Sequence, residues 1–148
     1  MGFTELVLSE PYDSISVTDV LARSGVARST FYAHFSDKKA LLVEAMAPLL
    51  NVLVRCAEGS ATEREVRDFL EHLWSNQALG RTIFAGSANR HVCNALAAGI
   101  EQQLKVGSLR GTQMAYGLLG VLQRWLAGDL AAAEDDVSGW LLDANAWQ

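Results

Sequence analysis

The residues from Ser16 to Leu42 read SVTDVLARSGVARSTFYAHFSDKKALL, and their punctuation decides the fold. Ser16 followed three residues later by Asp19 forms a capping box. The serine hydroxyl accepts from the third helical N–H while the carboxylate reaches back to the cap. This predicts a helix from Val17 to about Ser24, with Val17, Val20 and Leu21 turned inward. Gly25 then suits the left-handed conformation that closes a helix. A second helix is predicted from about Ala27 to His34, with Phe31 and Phe35 inward. Asp37 is the predicted N-cap of a long helix from Lys38 to about Ala57, in which Pro48 is expected to introduce a kink.

Two helices joined at a glycine turn are a recurring way to lay one helix in a DNA major groove. Val20, Leu21, Val26 and Phe31 are expected to form the inner face that fixes the angle between them. The outer face carries Arg28, Ser29, Thr30 and Tyr32. Arginine can donate two bonds to guanine, and hydroxyls can read base edges or hold phosphate. The whole chain has a formal charge of −5, which excludes a generally basic nucleic-acid coat. Locally the sign reverses: Arg23, Arg28, Lys38 and Lys39 against Asp37 give +3 over 17 residues.

Helical signals extend outward on both sides. A short helix is predicted over about Gly2 to Ser9, with Phe3, Leu6 and Val7 on one face, ended by Pro11 and followed by a turn at Tyr12-Asp13-Ser14. Downstream, Thr62 and Glu65 form a second capping box. The helix they open has an apolar face of Val66, Phe69, Leu70, Leu73 and Trp74. Gly80 and Gly86 bracket a short irregular or helical piece. Further helices are predicted over about Ser87–Val106, Gly111–Ala127 and Glu134–Ala146. Nothing shows sustained alternation with β-branched residues, so the class is all-α. Half of the 148 residues are hydrophobic, enough for a sizeable core. The predicted division is a unit over residues 1–47 and a helical unit over 48–148, with the boundary inside the long helix.

The run from Gly25 to Leu42 resembles the TetR/AcrR family of bacterial repressors. The core Thr30-Phe31-Tyr32-Ala33-His34-Phe35, followed by lysine and Ala40-Leu41-Leu42, carries the likeness, which covers about residues 3–46. The resemblance implies an N-terminal helix-turn-helix three-helix unit, joined by a long helix to a C-terminal helical bundle for ligand binding and dimerisation. It implies a dimeric repressor, released from a palindromic double-stranded DNA operator by a small-molecule inducer. Carried over by position, Arg28, Ser29 and Thr30 are the base-reading residues. Tyr32 and His34 would bond to phosphates, and Thr18 would touch the backbone from the other side. Lys38 would meet a phosphate at the start of its helix, with Lys39 beside it. Three departures thin this face: a first helix short at its N-terminus, Ala27 in place of a capping serine, and Ala33 in place of a basic or polar residue. They imply weaker DNA binding than the family norm. They also keep open a second reading, a TetR-like dimeric ligand- or protein-binding module with weak or lost DNA binding.

From Gln113 to Leu130 apolar residues are dense, and Gly117 and Gly120 would admit a close helix. With Val137, Trp140, Leu141, Leu142 and Trp147 of the last helix, the layout resembles the family's four-helix dimer interface. Plain intramolecular core is the alternative. His72, Trp74, Phe84, His91, Tyr116 and Trp125 are candidate lining residues for an inducer pocket. Cys56 and Cys93 lie in no Cys-x-x-Cys pair, which fits a reduced compartment. His91 and Cys93, two apart on a predicted helix, point to different faces, so no metal site is expected. No cofactor loop or catalytic constellation is present, and no enzyme activity is expected. The N-terminus lacks the basic region of a signal peptide, and the longest charge-free run, Gly111 to Gln123, is too short to span a bilayer. A cytoplasmic protein is the expectation.

Overall fold

The computed structural model describes Phe3, Leu6 and residues 9–147. The predicted helix over Gly2–Ser9 falls mostly outside these residues. Phe3, Leu6 and Ser9 are helical, and the first two are buried. Then come a 3₁₀ turn at Tyr12–Ser14 and helices α1 (Val17–Ser24), α2 (Arg28–His34), α3 (Lys38–Glu58) and α4 (Glu63–Ser75). Helices α5 (Gln77–Ile83), α6 (Gly86–Leu104), α7 (Ser108–Leu126) and α8 (Glu134–Leu142) follow, with a closing 3₁₀ turn at Ala144–Trp147. There is no strand among the described residues.

The helix ends are where local chemistry puts them. Asp19 N–H donates to Ser16 Oγ at 3.1 Å, and Asp19 Oδ2 accepts from the Ser16 amide at 2.8 Å. Gly25 closes α1 at φ 71°. Asp37 Oδ1 caps α3 through the Ala40 amide at 2.8 Å, and Thr62 with Glu65 caps α4 in the same reciprocal way as Ser16 with Asp19. Pro48 lies inside α3 without ending it. Its ring removes one ladder bond, which the packing on either side tolerates.

Helix α3 packs along α6, and α6 along α7. Leu42, Leu53, Leu70, Leu96, Ile100, Leu118, Leu122 and Leu141 are wholly buried in one continuous core. Helix α8 leans chiefly on α4, and the segment leading into it is tied to the end of α7 by Trp125 Nε1, which donates to Ala132 O at 3.1 Å. By composition α3 is long and apolar enough to cross a membrane; it is instead flanked by α6 and α4, with Glu44 exposed on it.

Of the irregular or helical forms expected between Gly80 and Gly86, the chain is helical as far as Ile83, in a helix, α5, that begins at Gln77. Three expectations change. The last helix stops at Leu142 rather than Ala146, because the chain turns back so that Trp147 meets Trp140 edge-on at 4.7 Å. Val26 and Trp74 are not interior: they are 41% and 48% exposed. The apolar density of α7 is absorbed within the protomer, where Met114, Ala115, Leu118, Leu119, Leu122, Trp125 and Leu126 are all buried.

One tertiary contact ties the N-terminal unit to the body. Helix α6 begins after Ala85, whose side chain cannot cap it. Asp13 caps it instead from 74 residues away: its carboxylate accepts from the Ser87 amide at 3.2 Å and from the Ser87 hydroxyl. Beside it Tyr12 is buried, with its ring edge-on to His91 at 6.2 Å. Lys38 Nζ donates to Tyr12 O at 2.8 Å and sits 4.1 Å above the Tyr12 ring, a cation–π contact. The Ser87 bonds hold the Asp13 carboxyl below the usual aspartate range, helped by Lys38 and His91. Burial holds His91 below the usual imidazole value, and Lys39 and Arg90 add to this. Burial pushes the Tyr12 phenol up to about 12, with Asp37 and Asp13 adding to the effect.

Gly86 makes the cap possible. Its φ is +60°, and a Cβ there would overlap the Asp13 carboxylate. Gly25 also has positive φ, but a Cβ there meets nothing within 4 Å. Gly25→Ala is therefore expected to cost about 1 kcal/mol from backbone strain alone. Gly86→Ala should cost more and also shift the Ser87 amide resonance; equal losses in urea unfolding would contradict the cap. A carboxylate held low by native bonds stabilises above its unfolded-state pKa, and the contribution is lost as pH falls through the depressed value. Asp13→Asn should thus unfold earlier than wild type at pH 7. The two midpoints should converge as pH drops below the ordinary aspartate value of 3.8.

Candidate nucleic-acid interface

Helix α2 is short, seven residues, and its N-cap Ala27 supplies no side-chain bond. Short uncapped helices are marginal alone. This one is held by Phe31, buried and packed against Phe35 at a ring distance of 5.4 Å. The side chains around Phe31 are consequently placed at the surface. Arg28, Ser29, Thr30, Ala33 and His34 are exposed, and Tyr32 is 47% exposed with its ring edge-on to Phe31 at 5.1 Å. Six of the seven α2 side chains are thus open to solvent on a helix only two turns long.

Two of the sequence-predicted residues meet each other. Arg28 Nη2 donates to Thr18 Oγ1 at 3.1 Å, tying the start of α2 to the start of α1. Lys39 is exposed at the start of α3, whereas Lys38 is half-buried and engaged with Tyr12. His34, Thr30 and Val26 border an apolar groove of about 270 Å³ floored by Phe3, Phe31 and Phe35.

The six candidate pocket residues do not converge on one cavity. Trp74 and Trp125 stack on each other at 5.2 Å. His72 borders a shallow cleft between α3 and α4 with Pro48 and Phe69. His91 lies against Tyr12 at the junction, and Tyr116 is 46% exposed beside Cys93. Phe84 alone borders the cleft of about 280 Å³ where α5 meets the end of α7. Cys56 and Cys93 are free and buried; burial raises the Cys56 thiol to about 11 and also raises Cys93, so neither is primed as a thiolate. Among the described residues no group of His, Cys, Asp and Glu is arranged to hold a metal ion.

Asp13, Gly86 and Ser87 position this surface and carried no sequence signal. Tyr12-Asp13-Ser14 reads only as a turn, and its partners lie far along the chain.

The comparison with protein families agrees with the geometry. Residues 4–45 match the model described as bacterial regulatory proteins, tetR family. No curated protein matches the chain. The matched segment runs from the N-terminal helical residues through α1 and α2 into the first two turns of α3. On these residues the N-terminal segment is similar to the tetR family of bacterial regulatory proteins, a family of DNA-binding transcription regulators.

Proposed function

We propose that the protein is a dimeric, cytoplasmic repressor that reads a palindromic operator and is released from it by a small molecule. The observation that carries the reading is the exposed row Arg28, Ser29, Thr30 and Tyr32, on a helix set against α1 by the Gly25 turn and anchored by Phe31. Arg28, Ser29 and Thr30 face base edges. Tyr32, His34, Thr18 and Lys39 hold phosphates, and Lys38 joins them where it can leave Tyr12. Dimerisation through the last two helices places two such rows about one DNA turn apart.

With most of the apolar side chains of α7 buried internally, the apolar strip left for a partner copy is narrow. It includes Leu109, 91% exposed, with Tyr116 two turns and Gly120 three turns further along the same side and Gly117 next to Tyr116. A Cβ on Gly120 meets nothing within 4 Å, so a second helix can lie close there. The domain division near residue 47 suits this reading, since α3 runs unbroken through it and couples the two units.

In vitro selection from a random duplex pool with the full chain should enrich a palindrome. No enrichment would instead favour the second reading, a dimeric ligand- or protein-binding module. On the selected duplex, Tyr32→Ala should weaken binding about tenfold and lower the salt slope by about 1, with an unchanged melting curve. Sedimentation equilibrium should return twice the 16.1 kDa chain mass. Gly120→Arg should return the single mass with a melting temperature within about 2 °C of wild type.

A further inference from the structure

The cleft between α5 and the end of α7 has an apolar floor and a cationic rim. Phe84 and Leu126 are buried beneath it, and Arg81, Arg124, Gln123 and Asp129 border it. Arg81 uses Nη2 on Gln77 Oε1 at 3.0 Å and on Leu126 O at 3.2 Å. Arg124 uses Nη2 on Asp129 O at 3.4 Å. These bonds satisfy chain carbonyls at the end of α7, and they consume one nitrogen of each guanidinium. Neither arginine forms an ion pair with a carboxylate among the described residues. Arg124 therefore retains one fork of donors that matches a carboxylate bidentately, while Arg81, with both Nη2 hydrogens engaged, keeps Nε and Nη1 for single charge-assisted bonds. The volume of about 280 Å³ is that of roughly nine water molecules in the liquid, which suits a ligand of similar atom count.

The cleft adjoins the cap on α6. Gln123 Nε2 donates to Phe84 O at 2.6 Å and reaches Asn89 Oδ1 at 3.4 Å. It thus grips both sides of the segment Ala85–Ala88, which contains Gly86 and Ser87. Anything that moves Phe84 or Gln123 moves the two residues on which Asp13 rests.

We propose that this cleft binds a small organic acid, carboxylate to Arg81 and Arg124 and apolar body on Phe84 and Leu126, and that occupancy is transmitted through Gln123 and Phe84 to the Asp13–Ser87 cap. The regulatory meaning rests on the repressor reading above, whereas the binding itself is measured without DNA. A ligand shifts the cap only if it favours the conformer in which Ser87 has moved.

The test is an amide-resonance titration of the isotopically labelled full chain with benzoate and with hexanoate, against benzyl alcohol and inorganic phosphate. Saturable shifts with either carboxylate at Phe84, Arg124, Ser87 and Asp13 are expected, with benzyl alcohol and phosphate at least tenfold weaker. Arg124→Gln and Arg81→Gln should each weaken the carboxylate about tenfold, as loss of charge-assisted bonds does. The wild-type comparison stands even if either variant is unstable. The site is overturned if neither carboxylate saturates, or if benzyl alcohol or phosphate binds as tightly. Saturation that leaves Ser87 and Asp13 unshifted overturns the transmission. Carboxylate binding without any DNA selection removes the repressor reading and leaves the site standing.

Discussion

The cap that Asp13 places on α6 is the constraint on which the arrangement depends. The first amides of a helix have no partner within the helix, and Ala85 offers none from its side chain. The solution comes from the turn that precedes α1, so the same bond that completes the central helix of the body fixes the lateral position of the DNA-facing unit. Around it the chemistry is consistent. Gly86 clears the space, Tyr12 fills the apolar side, and Lys38 closes over Tyr12 from the start of α3. Helix α3 alone would leave the unit free to rotate about a single axis. The second attachment at Asp13 defines an orientation, and a two-point attachment can be switched by releasing one point.

What was legible in the sequence was what neighbours in sequence decide. The Ser16–Asp19 and Thr62–Glu65 boxes, the Gly25 turn and the Asp37 cap are each written within four residues, and each helix start sits where they put it. The last helix was overextended because nothing local stops it at Leu142; the stop comes from Trp147 returning to Trp140. Apolar patterning on α7 showed that its faces must be buried but not against what, since a partner copy and the chain's own α6 satisfy the same pattern. The candidate DNA-facing residues were legible because exposure on a seven-residue helix follows once Phe31 is recognised as its inward side chain. The Asp13 cap was not, since no pattern links a turn aspartate to a serine 74 residues on.

Lys38 shows how the junction and the DNA face share resources. A lysine at the start of α3 is well placed for a phosphate, yet here it donates to Tyr12 O and covers its ring. Arg28 is engaged in a similar way, with Thr18. Both contacts are at least partly open to solvent, where a hydrogen bond contributes on the order of 1 kcal/mol. Both donors are cations, so these bonds are already charge-assisted; a phosphate would add an opposite charge and a guanine edge a second bond, and either outweighs a single neutral oxygen. On the DNA-binding reading proposed above, these side chains are held in reserve rather than blocked, and the resting contacts reduce the rotamer entropy lost on binding.

The charge distribution follows the same logic. The molecule is acidic overall, while the stretch from Arg23 to Lys39 is basic, so any long-range attraction to DNA is confined to one end. At that end Asp13 and Asp37 lie among Lys38, Lys39 and Arg90, all acting electrostatically on Tyr12 or His91 or, in the case of Lys38, on Asp13 itself. The two carboxylates cap α6 and α3 and stay ionised there, so they offset part of the local positive charge. On the repressor reading proposed above, loss of the cap acts through a freed orientation and not through a change of charge, since the Asp13 carboxylate is ionised at neutral pH with or without the Ser87 bonds.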